Sequence, residues 1–201
     1  MSGLSERRNN RKTYKQRFLI VHEGKETEGR YIQHIKRLLT IERTCRVDTY
    51  YPKHTSVTSM VQKMQRESGT IQARDYLWIL IDRDEKNHMR EQFAELAQWE
   101  GLRERNHVAI SNPRFEYWLL LHVLAHPNAA SACDDKYVKN HIPAFTKNLS
   151  DCLHLFTLDS VAAAIARAQE EGWPSCLNPD KVGSGVGVLV QQMMKETRWN
   201  N

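Results

Sequence analysis

The chain has 201 residues, 40% hydrophobic and 26% charged, which suits one globular domain or one domain with an added lobe. Mean hydropathy is −0.64, no apolar run approaches the roughly 20 residues of a membrane span, and the polar start lacks the apolar stretch of a signal peptide. A membrane protein, a secreted disulfide scaffold and a wholly disordered chain are thereby disfavoured, and a cytoplasmic protein without membrane association is expected.

The formal charge of +5 resides entirely in residues 1–17, where Arg7, Arg8, Arg11, Lys12, Lys15 and Arg17 face Glu6 alone. This basic flexible tail reads either as a phosphate-holding arm acting through counterion release or as a solvated terminus. Phe18-Leu19-Ile20-Val21 follows, an apolar run without alternation, as expected of a strand covered on both faces. A turn at Glu23-Gly24-Lys25 leads to a helix over 26–39, where Tyr31, Ile32, Ile35, Leu38 and Leu39 recur at helical spacing. Residues 46–51 read as a second strand ended by Pro52, and 56–67 as a helix with Val57, Met60, Val61 and Met64 on one stripe.

Tyr76 to Ile81 is the most hydrophobic segment and predicts the central strand, which stops at Asp82-Arg83-Asp84-Glu85. A helix over 89–99 closed by Gly101 and a strand over 107–110 come next. A further helix is expected to open with Asn112 as its cap and Pro113 in its first position, running to about Ala125. Alternation of strand and helix over 18–127 predicts an α/β domain, a parallel sheet flanked by helices. Residues 128–201 read as a mainly helical extension packed on it, with a helix over 160–171. The Gly-rich stretch Gly183 to Gly187 then precedes a last helix to about Thr197.

Cys45, Cys133, Cys152 and Cys176 form no CxxC pair and read as reduced thiols. His122 and His126, four apart, could offer two imidazoles to zinc, but the HExxH pattern is missing and the bland reading is structural. The 183–187 stretch lacks the GxxxxGK[ST] arrangement of a phosphate loop, and no GxSxG nucleophile motif occurs.

In open α/β sheets ligands gather at the carboxyl ends of the strands. The first strand runs into Glu23 and the third into Asp82 and Asp84, which, two apart, share a face of extended chain. Carboxylates there are costly unless solvated, paired or metal-bound, and hard oxygen donors suit Mg²⁺ or Mn²⁺. The plainer alternative is a set of solvated turn acids. Glu26 and Glu28 open the first helix, where the dipole favours acids; Glu28 reads as a helix-end charge, and Glu26 is open to either role. Glu116 has the same two readings, and Arg114 beside it is a phosphate contact or a surface charge.

The segment from Arg17 to Glu28 (RFLIVHEGKETE), that from Leu80 to Glu85 (LIDRDE) and that from Ser111 to His122 (SNPRFEYWLLLH) resemble signatures of RloB-like proteins. Ile142 to Lys147 (IPAFTK) is similar to a weaker later one. The resemblance implies a Toprim-like fold related to the nuclease domains of OLD-family proteins. In such sites a Glu after the first strand and a DxD after the third hold the metal, which here match Glu23, Asp82 and Asp84. It further implies acids for a second metal, with Glu26 and Glu116 as candidates and Glu116 favoured, and it matches Lys147 to a family lysine. It implies a setting in abortive phage defence beside an ATPase partner. The chain departs from the family near its end, where an Asn-Pro-Ser-Thr-like segment is spread over Asn178 to Ser184.

The expected activity is hydrolysis of phosphodiester bonds in DNA or RNA with Mg²⁺ or Mn²⁺. Glu23, Asp82, Asp84, Glu116 and Lys147 would be catalytic, and Arg83, Lys25 or Lys147 would meet charge developing on the phosphate. Two rivals stand beside it. One is a non-catalytic nucleic-acid-binding or regulatory subunit of the ATPase; the other is an α/β enzyme of small phosphate esters, with GxGxxG absent after the first strand. The choice of DNA, RNA or transfer RNA and the oligomeric state, homo-oligomer included, are not fixed by sequence.

Overall fold

A parallel strand buried on both faces needs apolar side chains at every position, and two segments of the chain supply them. The computed structural model describes residues 15–54, 56–83 and 90–198. In it the first of these runs lies in β1 (Gln16–His22) and the second forms β3 (Tyr76–Asp82). Around them, in chain order, are α1 (Thr27–Leu38), β2 (Cys45–Tyr50), α2 (Val57–Arg66), α3 (Arg90–Gly101), β4 (Asn106–Asn112), α4 (Phe115–Leu121), α5 (Asp135–His141), α6 (Leu158–Glu171), β5 (Gly183–Ser184) and α7 (Val186–Arg198). The sheet order is β2-β1-β3-β4-β5, with β5 alone antiparallel to its neighbour. This is an α/β architecture, a mostly parallel sheet flanked by helices, consistent with a Toprim-like fold.

Strand periodicity divides the core into two layers. Leu19, Val21, Leu77, Ile79 and Ile81 pack on one face against Val57, Met60, Met64, Phe93, Leu96 and Trp99 of α2 and α3. Phe18, Ile20, Trp78 and Leu80 point the other way, into a larger cluster with Tyr31, Ile32 and Ile35 of α1 and Trp118 of α4. Val161, Ala164 and Ala168 of α6 and Val186, Leu189 and Val190 of α7 belong to that same cluster, so residues beyond 128 complete the core over the first four strands. Each fully buried Leu, Ile or Phe adds roughly 1.5–3 kcal/mol relative to exposure. Among the described residues no helix is long and apolar enough to cross a membrane.

Several local expectations are corrected. The helix expected from Asn112 begins at Phe115 and ends at Leu121. Asn112 instead closes β4, and its Nδ2 donates to the carbonyls of Asp180 (2.7 Å) and Lys181 (3.1 Å). An amide that can bind a distant loop has no need to cap a helix. The Asn112–Pro113 peptide is cis. Arg17, counted with the basic tail, lies in β1, its Nε 2.6 Å from Asp48; residues 1–14 of that tail lie outside the described residues.

The Gly-rich stretch is a site of close approach. Gly185 N–H donates to the Ile110 carbonyl at 2.8 Å, and a Cβ on Gly185 would lie 3.1 Å from Ala109 Cα. Gly183 has φ +143° with Gly172 O 2.7 Å from where its Cβ would be. Small residues let this segment add as β5 to the edge of the sheet.

Candidate active site

The loop after β1 and the end of β3 come together because the two strands are neighbours, with His22 opposite Leu80. Glu23, the first residue past β1, donates its N–H to Leu80 O and accepts from Asp82 N–H through Oε2, both at 3.2 Å. His22 is 3% exposed, and its Nδ1–H donates to Gly24 O at 2.8 Å, pinning the turn. Burial lowers the pKa of His22 and so disfavours the protonated ring.

Sequence reasoning misses Glu28, which it reads as a helix-end charge. Glu28 does lie in the first turn of α1, yet it is only 5% exposed, and its Oε1 accepts from Gly24 N–H at 3.0 Å. A Cβ on residue 24 would overlap the Glu28 carboxylate, so glycine there is what lets the acid fold back into the turn. The spacing of Gly24 and Glu28 is the one sequence signal of that contact. Glu26, by contrast, is exposed, forms no side-chain cap bond at the head of α1, and lines the cleft from its rim.

β4 delivers the third side of the site through α4. Glu116, in its first turn, is 4% exposed and bound on both oxygens, Oε1 by Lys147 Nζ at 2.5 Å and Oε2 by Arg114 Nε at 3.1 Å. The Lys147 backbone is tied to α1, because Thr27 Oγ1 donates to its carbonyl at 2.9 Å. Glu28, Asp82, Arg114, Glu116 and Lys147 line one cleft of about 360 Å³, with Lys25 at its margin. Arg83 points elsewhere: it pairs with Asp180 at 2.7 Å and lies over the Phe93 ring. The divergent 178–184 segment is thus anchored beside the site by Arg83 and Asn112 together.

The electrostatics of the cleft are unusual. Asp82 is pushed well above the carboxylate range, first by burial and then by Glu28, Glu116 and Glu23, against the opposing hydrogen bond from Phe115 N–H. Glu28 is raised to about 7, again first by burial and in part by Glu116 and Glu23. Carboxylates from three separate segments therefore lie close enough to repel one another in a desolvated space. Among the described residues no group of three or more His, Cys, Asp or Glu is gathered tightly enough to hold a metal ion, and Asp84 lies outside the described residues. The donor chemistry nonetheless fits a hard divalent cation: oxygen donors only, with an excess of negative charge that a cation would relieve.

The histidine pair does not offer itself to zinc. His122 is buried with both ring nitrogens engaged, Nε2 by Tyr31 OH at 3.0 Å and Nδ1 with Ser160 Oγ at 3.2 Å. Burial takes its pKa down to about 3. His126 is exposed. Cys45, Cys152 and Cys176 are buried and Cys133 is exposed, and no disulfide joins them.

The chain matches no curated protein and no solved structure. Residues 18–193, which span all the elements that build the cleft, match the family described as RloB-like protein, and the chain belongs to that family.

Proposed function

We propose that the chain is a metal-dependent nuclease that hydrolyses phosphodiester bonds of DNA or RNA. The observation that carries this reading is the gathering of Glu28 from α1, Asp82 from β3 and Glu116 from α4 along one cleft, with Glu23 held against Asp82 N–H; burial first, and neighbouring acids after it, raise the pKa of Asp82 and Glu28. Such an arrangement costs folding free energy and is explained by a cationic ligand. Glu23, Asp82 and Asp84 would hold Mg²⁺ or Mn²⁺, with Glu28 and Glu116 beside them and Glu26 at the rim as donors to a second ion. Bound there, a divalent cation supplies Lewis acidity and lowers the pKa of water.

The protein's own groups do the rest. Gly24 N–H and Phe115 N–H hold Glu28 and Asp82 in place before substrate arrives. Glu23, held against Asp82 N–H, would bind the divalent ion or accept a proton from the attacking water. Lys147 and Arg114 set positive charge at the wall of the cleft where a phosphate would sit.

The family resemblance supports a setting in abortive phage defence with an ATPase partner, since this chain carries no phosphate-loop motif of its own. A second reading, a non-catalytic nucleic-acid-binding subunit of that ATPase, is favoured by one feature: Glu116 is already neutralised by two cations. Cleavage of labelled DNA and RNA by the assembled protein with Mn²⁺ separates the two. Asp82→Ala is expected to reduce cleavage by about 10³-fold or more. Equal cleavage by the variant, or none by the wild type with either nucleic acid, overturns the nuclease reading.

A further inference from the structure

Arg114 and Lys147 are shared between two carboxylates of very different accessibility. Glu116, with its side chain 5% exposed, binds Arg114 Nε and Lys147 Nζ; Asp135 of α5, 52% exposed, takes Arg114 Nη2 at 2.8 Å and Lys147 Nζ at 3.6 Å through one oxygen, Oδ1. The cations themselves are fixed. Arg114 Nε also donates to Ala132 O at 3.1 Å, and the Lys147 main chain is held by Thr27. Burial works against a charged Asp135, but Lys147 and Arg114 outweigh it and hold its carboxyl below the ordinary value.

We propose that Arg114 and Lys147 form a phosphate subsite of the cleft, and that Asp135 is its resident counter-ion, displaced by a backbone phosphate of the bound nucleic acid. The proposal rests on the nucleic-acid reading above and names the residues that would select it. Asp135 Oδ1 marks a point within reach of both cations, the place a phosphate oxygen would take with charge-assisted hydrogen bonds. Exchange there is cheap, because a half-exposed carboxylate loses a screened pair and turns into water. Glu116 cannot leave in the same way, since a buried carboxylate would be stranded without a partner. It stays and keeps the two cations aligned. The acids of the cleft repel phosphate while Arg114 and Lys147 attract it. The subsite therefore holds a phosphate flanking the one at Asp82, and so sets the register of the strand.

The test is binding of a labelled single-stranded oligonucleotide in EDTA, where neither metal nor cleavage takes part. Asp135→Asn is expected to tighten binding at least fivefold at low salt and to steepen the slope of log K against log salt by roughly 0.7, one phosphate contact. Asp134→Asn removes the same charge one residue away and preserves the cap of α5, because asparagine caps as well as aspartate; it is expected to change affinity less than twofold. Arg114→Ala in the Asp135→Asn background should abolish the gain. Asp135→Ser, measured in parallel, should show the same tightening and stands in if the asparagine variant folds poorly. Unchanged or weaker binding in both Asp135 variants, or an equal gain in Asp134→Asn, overturns the subsite. Inorganic phosphate competing as well as the oligonucleotide, per phosphate, would assign the subsite to free phosphate and overturn its nucleic-acid role. Because cleavage is scored separately, a gain in Asp135→Asn without any cleavage sinks the nuclease reading alone, and cleavage without a gain sinks the subsite alone.

Discussion

At the end of the sheet where β1 and β2 begin, Asp48 stands between Arg17 and Arg46, Glu67 meets Lys63 and Arg17, and Glu42 meets Lys36. Hydrogen bonds from lysine lower the pKa of both Glu67 and Glu42. A groove of about 620 Å³ lies there, larger than the cleft at the other end, yet its Arg17, Lys36 and Arg46 side chains are in ion pairs. At the end where β1 and β3 finish, acid faces acid, and Glu28 and Asp82 move in the opposite direction. The first end arranges its charges for the stability of the fold; the second carries a repulsion that the fold alone does not require. The size of a cavity says less about chemistry here than whether its charges are already satisfied.

The largest expected effect that sharpens this contrast is on the pH dependence of stability without metal. Glu28 has an ordinary value of 4.5 and a folded value of about 7. A raised carboxyl contributes stability that is fully present below pH 4.5 and is lost as pH climbs through 7; Asp82 adds in the same direction. In EDTA wild type is expected to lose on the order of 3 kcal/mol between pH 5 and pH 8 relative to Glu28→Gln in urea unfolding; the total profile is shallower, because burial lowers the pKa of His122 and His22, which gain stability as pH rises through the ordinary histidine value. Glu67 is lowered, so its contribution runs the other way, present above 4.5 and fading as pH falls below it. Saturating Mn²⁺ at pH 8 should recover the loss, as any ligand of the folded state alone does. A difference between wild type and Glu28→Gln that stays constant from pH 5 to 8 would erase the contrast between the two ends.

A smaller effect is expected from the satisfied end. Asp48→Ala removes one of two carboxylates paired with Arg17, whose side chain is only 12% exposed. The cost should be about 1–2 kcal/mol, discounted because Asp48 itself is partly solvated, and it should appear as a lowered urea midpoint with unchanged m. Cleavage of nucleic acid, measured well below the melting temperature, should be retained. Loss of cleavage with intact folding would mean that the basic end belongs to the site after all.

How much of this can be read from residues alone follows from the range of the forces involved. β1 and β3 are legible because their apolar runs satisfy both faces of the sheet at once, and the meeting of Glu23 with Asp82 then follows from the pairing of two neighbouring strands. Asn112 and Pro113 mislead because they satisfy the local preferences for a helix start, while the decisive contacts of Asn112 are with carbonyls of residues 180 and 181. β5 has two residues, too few to carry a period. Arg17 belongs to the tail by charge, although its partners at 48 and 67 place it within the sheet. The pairing of Lys147 with Glu116 spans 31 residues and carries no spacing signal; only the family resemblance draws attention to that lysine. Glu28 shows the limit most clearly. Its position in the first helical turn supplies a sufficient local reason for an acid, and that reason conceals the tertiary one.

Glu28→Gln is the sharpest small test of that tertiary role. Glutamine keeps the shape and can still accept from Gly24 N–H through its amide oxygen, so the turn at the head of α1 should survive. What it removes is the charge that burial, Glu116 and Glu23 all oppose. Against this gain, the hydrogen bond from Gly24 weakens when its acceptor is no longer ionised, and the new amide group has to find a partner of its own. The balance predicts a variant more stable than wild type by about 1 kcal/mol at pH 8 in EDTA, and less stable by about 2 kcal/mol below pH 4.5, where Glu28 is protonated in both states and the unpartnered amide alone remains. The same substitution should weaken Mn²⁺ binding in titration calorimetry, because it withdraws a carboxylate from the cleft. A Glu28→Gln variant that is destabilised at pH 8 would show that Glu28 serves the helix end and not the site, and the unsatisfied end of the sheet would then rest on Asp82 alone.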